Sequence, residues 1–117
     1  MPQNLSYRQG DVILVMFPNS DVITAKTRPA VVVQSDNLQT GLNQIIVAMV
    51  TSQMSRSQHQ SRLTILLGTP EGKQSRLISS VIMTDNLATV TFTAISRTIG
   101  SVSIEHLQES LRNTFGL

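Results

Sequence analysis

Cysteine is absent from this sequence, which excludes disulfides, thiolate metal sites and thiol nucleophiles. Tryptophan is absent as well, and the aromatic complement is Tyr7, Phe17, Phe92 and Phe115. A core must therefore be built from Val, Ile and Leu, a composition that suits strands, where β-branched side chains pack well. No run of 18 or more apolar residues occurs, so no membrane-spanning helix is expected. The first eleven residues, MPQNLSYRQGD, lack the apolar centre of a secretory leader, and the cytoplasm is the expected location. Charge is also scarce: 14% of residues, with a net charge of +2. That excess is small for a protein that covers a long stretch of phosphates. The two histidines, His59 and His106, are far apart in sequence, and no closely spaced carboxylates suggest metal ligation. There is no glycine-rich phosphate loop and no GxSxG elbow. No metal and no cofactor is expected.

What is present is a series of short apolar runs. With 117 residues, 40% of them apolar, the chain is expected to form one domain spanning 1–117. Val12–Phe17, Ala30–Val33, Ile45–Val50, Leu63–Leu67 and Leu77–Met83 are continuous runs, and Thr89–Thr93 alternates strictly. The fourth run is read as stopped by Gly68-Thr69-Pro70-Glu71-Gly72. Six short strands with polar connections predict a mainly β fold, an antiparallel barrel or sandwich. The C-terminus differs. Ile104, Leu107, Leu111 and Phe115 recur at helical spacing, with Ser103 as N-cap, Glu105 in the first turn, Val102 placed to staple onto Leu107, and Gly116 as the stop.

Two polar connections are long: 18–27 and 51–62. The second carries four serines, three glutamines, Arg56, His59 and Arg62, groups that donate to phosphates and base edges. The cation set is seven arginines against two lysines, and guanidinium grips phosphate oxygens two at a time. RNA cleavage suits so sparse an inventory. The 2′-OH is the substrate's own nucleophile, and the protein supplies positioning, positive charge and proton transfer.

Three segments, in order, resemble the MazF/PemK (Kid) family of toxin endoribonucleases. They are Gly10-Asp11-Val12-Ile13, Lys26-Thr27-Arg28-Pro29-Ala30-Val31-Val32-Val33-Gln34, and Val50-Thr51-Ser52. Weaker similarity runs through Ser80–Val90 and Ile95–Gly100 into the final helix. The resemblance implies a small SH3-like antiparallel β-barrel with a C-terminal helix, working as a homodimer. It implies metal-independent, sequence-specific cleavage of single-stranded RNA to a 2′,3′-cyclic phosphate, and neutralisation by a cognate antitoxin. It assigns catalysis to Arg28, Thr51 and Asp85. Arg28 would stabilise the phosphorane, Thr51 would hydrogen-bond the phosphate or the attacking hydroxyl, and Asp85 would be a general base. Asp85 ends an apolar run, where partial desolvation would raise its pKa. Ser52, Arg56, Arg62 and Lys26 are the expected RNA contacts. The sequence departs from the family at Met83 and Ala88, where many relatives carry arginine. Two alternatives stay open: a degenerate barrel that binds RNA or antitoxin without cutting, and a gyrase poison similar to CcdB.

Overall fold

A computed structural model describes residues 7–18, 25–36, 38, 40–57 and 59–117. Six strands and two helices follow in the order β1 (Asp11–Pro18), β2 (Ala25–Val32), β3 (Gln44–Thr51), β4 (Arg62–Ile65), α1 (Pro70–Ser75), β5 (Ser80–Thr91), β6 (Ile95–Ser101) and α2 (Ile104–Phe115). The strands form one antiparallel sheet in the order β4-β5-β3-β2-β1-β6. The fold is therefore mainly β with a C-terminal helix, as the runs predict. The barrel is not closed: β4 and β6 are the two edges, and no ladder joins them among the described residues.

Both faces of this sheet are buried, which explains why its strands read as continuous apolar runs rather than as alternation. Val12, Val31, Ala48, Ile65 and Ile82 point to one face and pack with Val102 and Leu107. Ile13, Val15, Ala30, Val32, Ile45, Val47, Val90 and Ile95 fill the other. β1, β2 and β3 thus contribute to both clusters by simple alternation of their side chains. Leu107 brings α2 onto the first cluster beside Val102, the pair expected to staple the helix start. The Ser103 hydroxyl accepts from the His106 N–H at 3.2 Å, and Gly116, at φ +73°, ends the helix in the left-handed region that glycine enters without strain.

Three expectations need correction. Leu77–Met83 and Thr89–Thr93 are not separate strands. Most of both belongs to the twelve-residue β5. Against β3 the pairing jumps from Leu87 opposite Ala48 to Met83 opposite Met49, so Thr84, Asp85 and Asn86 bulge out of the ladder. A bulge bends its strand and re-aims side chains. The sixth strand is instead Ile95–Ser101, a sheet edge whose outward positions are polar and whose sequence carries little apolar signal. Finally, the stretch read as a stop is the start of α1. Thr69 caps it by accepting from the Gly72 N–H at 3.0 Å, and Pro70 occupies the first helical position, where its missing N–H costs nothing. No helix among the described residues is long and apolar enough to cross a membrane.

Candidate active site

The site is built from the middle of β2, where Arg28 is the fourth residue, and the end of β3, where Thr51 is the last. β2 pairs with β3 through Ala30–Met49, Val31–Ala48 and Val32–Val47. The β2–β3 ladder ends at Ala30–Met49, two residues short of Arg28 and Thr51; by alternation Arg28 lies on the face of Ala30 and Thr51 on that of Met49, the same face of the sheet. On its other side Arg28 pairs with Val15 of β1, and Thr51 pairs with Val81 of β5, so each backbone is fixed in the sheet. Arg28 is exposed and makes no ion pair with any described carboxylate. Thr51 is half-buried. Its Oγ1 accepts from the Gln53 N–H at 3.2 Å, a strand-end bond that leaves the hydroxyl proton to be donated elsewhere. Lys26, exposed, precedes Arg28 on the same side of β2, and Ser52, also exposed, follows Thr51.

A second set of polar side chains gathers at the β5 bulge. Arg62, from the start of β4, holds Asp85 bidentately: Nε to Oδ1 at 2.8 Å and Nη2 to Oδ2 at 2.9 Å. Its Nη1 donates to the Arg56 carbonyl at 3.0 Å. Arg62 is thereby consumed by internal partners, with only 16% of its side chain exposed. The Arg56 side chain remains exposed at the end of a single tight helical turn, Met54–Arg56. His59 lies on the same cluster. Its Nδ1 is 2.6 Å from Ser61 Oγ, and its Nε2 is 3.9 Å from Asp85 Oδ2. The expected desolvated carboxylate is therefore not found. The Arg62 hydrogen bonds hold the Asp85 carboxyl below its usual value, outweighing the smaller upward push of burial, with its own backbone N–H and the charges of Arg62 and His59 adding to the lowering.

The bulge is locked from behind by Thr84, which is fully buried. Its N–H donates to the Ser61 carbonyl at 3.1 Å. Its Oγ1 lies 2.7 Å from that same carbonyl, 2.8 Å from Ser110 Oγ and 2.8 Å from Thr114 Oγ1. One hydroxyl thus ties β5, the end of the long polar loop and α2 together. Sequence reasoning missed it, because a threonine in a polar TDN triplet reads as loop. It also left the approach of His59 to Asp85 unread, since the bulge is what brings Asp85 to that loop.

His106 belongs elsewhere. Its Nδ1 lies 3.4 Å from Glu71 Oε2 of α1, beside a cleft of about 450 Å³ lined by Gln60, Arg62, Glu71, His106, Glu109 and Asn113. Glu71 and Glu109 make that cleft a poor seat for phosphate.

Residues 8–113 match the family model of the PemK-like, MazF-like toxin of type II toxin-antitoxin system. The fold is similar to an endoribonuclease from a mycobacterial species solved with its cognate antitoxin, at TM-score 0.70 and 15% identity over 96% of this chain and 97% of that one. It is similar to the Mycobacterium tuberculosis toxin MazF-mt6, at TM-score 0.67 and 19% identity over 92% and 97%. It is also similar to a chain of the MazE–MazF structure from Deinococcus radiodurans, at TM-score 0.70 and 16% identity over 94% and 96%. No curated protein matches the chain by sequence.

Proposed function

Since the chain belongs to the PemK-like, MazF-like toxins of type II toxin–antitoxin systems, we propose that it is itself an endoribonuclease that cuts single-stranded RNA at short sequences. The observation that supports this reading is that Arg28, exposed and without an ion pair to any described carboxylate, and the Thr51 hydroxyl lie two residues beyond the Ala30–Met49 pair on adjacent strands.

The RNA 2′-oxygen attacks the adjacent phosphorus, the 5′-oxygen leaves, and a 2′,3′-cyclic phosphate remains. Arg28 takes two non-bridging oxygens and stabilises the charge that grows on the phosphorane. Arginine stays protonated at neutral pH, so this electrostatic role costs far less than service as a base. Thr51 donates its hydroxyl proton to a phosphate oxygen. Asp85 acts through Arg62 rather than as a base, because a carboxylate held below its usual pKa by a bidentate arginine accepts a proton weakly. Lys26, Ser52 and Arg56 contact flanking phosphates and sugars. None of these roles calls for a metal or a cofactor. The chain acts as one domain and as a cytoplasmic homodimer, held inactive by a cognate antitoxin.

The test is incubation of the purified chain with single-stranded RNA in EDTA. The expected products carry 2′,3′-cyclic phosphate and 5′-hydroxyl ends, and Arg28→Ala slows their formation about 100- to 1000-fold while the protein stays folded. Binding without product from the wild-type chain, or cutting by Arg28→Ala at the wild-type rate, would overturn the reading.

A further inference from the structure

We infer that His59 is the proton donor to the leaving 5′-oxygen, with Ser61 and Asp85 as its positioning residues. The inference rests on the RNA-cutting reading above and adds to it the group that reading leaves unfilled. Arg28 and Thr51 supply charge and a hydrogen bond, and Asp85 is clamped by Arg62. None of the three suits proton transfer near neutral pH, whereas imidazole is the side chain whose ordinary titration falls there.

The geometry gives His59 the attributes of an oriented acid. Ser61 Oγ, 2.6 Å from Nδ1, fixes one ring nitrogen. Ser61 is itself held, since its carbonyl accepts from both the N–H and the hydroxyl of buried Thr84. The other nitrogen, Nε2, stands 3.9 Å from Asp85 Oδ2, too far for a hydrogen bond, and is left to a substrate oxygen. That contact is an ion pair only when the ring is protonated, which is the form with a proton to give. Among the described residues, the charged groups facing the ring are Asp85 from β5 and Arg62 from β4, the latter already turned onto Asp85. Nearly half of the His59 side chain is open to solvent. It sits on the loop that leaves β3 directly after Thr51.

The step balances without a further reagent. A lone pair on the 2′-oxygen forms the new O–P bond, and that oxygen's proton passes to water. The P–O5′ bond pair departs onto the 5′-oxygen, which takes the proton from His59 Nε2. The neutral ring is then reprotonated from solvent.

The experiment measures kcat and KM on a short single-stranded RNA, from pH 5 to 9, for the wild type, His59→Asn, His59→Ala and Ser61→Ala. His59→Asn is expected to lower kcat about 100-fold while KM changes less than about threefold. The wild-type kcat falls toward high pH, and His59→Asn removes that limb. Added imidazole partly restores His59→Ala, and Ser61→Ala shows a smaller kcat loss with the limb retained. Superimposable circular dichroism melts establish that the variants are folded. Wild-type cutting with His59→Asn equally active, or altered in KM alone, would overturn the inference and leave the RNA-cutting reading standing. A wild-type chain that does not cut would overturn both.

Discussion

The two polar centres of this molecule treat charge in opposite ways. In β2 and at the end of β3, Arg28 stands exposed with no ion pair to a described carboxylate, and Thr51 keeps a proton to donate. At the β5 bulge Arg62 is turned inward and neutralises Asp85 with two short bonds. The first centre is open to a ligand's charge, and the second has closed its charges on itself. The difference follows from backbone geometry. Regular strands carry Arg28 and Thr51 just past the last β2–β3 pair, Ala30–Met49, while each stays paired on its other side. The bulge instead turns a carboxylate toward the start of β4, where an arginine meets it.

Replacing Arg28 by Ala is the most severe way to break this contrast. RNA cleavage should fall about 100- to 1000-fold, the cost of removing one preorganised donor to a developing oxyanion. Its melting temperature should stay close to that of the wild type, because an exposed side chain with no ion pair to a described carboxylate carries little stability. Thr84→Val comes next. It leaves the Ser61 carbonyl and the α2 hydroxyls short of a partner, so equilibrium denaturation should show a loss of about 2 kcal/mol. A loss below the error of the measurement would show that the bulge is held without that hydroxyl. Thr51→Val keeps the shape and removes the donor. Cleavage should drop about tenfold, equivalent to ~1.4 kcal/mol, with unchanged stability.

The smallest effect concerns pH. The folded Asp85 carboxyl is held below its unfolded value of roughly 3.9. Its contribution is therefore present above that pH and is lost as pH falls through the lowered folded value. A third of its side chain is solvent-exposed, so screening keeps the term below about 1 kcal/mol. Asp85→Asn should be slightly less stable than the wild type at pH 7, and the two should converge as the pH falls through the lowered folded value. A difference that persisted once the carboxyl is protonated would mean that the pair is not electrostatic in origin.

Much of this arrangement is readable from residue order. α2 is set by Ser103, Glu105, the Leu107–Leu111 face and Gly116, all local signals that nothing in the tertiary structure overrides. Arg28 and Thr51 belong to ordered motifs that lie within β2 and at the end of β3, so their elements are legible even though their mutual placement is not. The remainder depends on contacts distant in sequence. Arg62 and Asp85 are 23 residues apart, and nothing near either one signals that they neutralise each other. Thr84-Asp85-Asn86 has the polarity of a turn, yet the strand continues through it because flanking Ile82 and Val90 are buried on opposite sides of the break. α1 escaped notice because Gly72 reads as a breaker. In the fold it is required there, since a Cβ would strike the Leu66 carbonyl.

Gly100 carries a consequence for how this chain tolerates change. It lies in the edge strand β6, where α1 approaches so closely that a methyl group at this position would stand 2.5 Å from the carbonyl oxygens of Gln74 and Ser75. Backbone meets backbone, so no rotamer adjustment relieves the collision. The neighbouring exposed Arg97 and Thr98 accept replacement at little cost, while three residues along from Arg97 even alanine forces helix and strand apart.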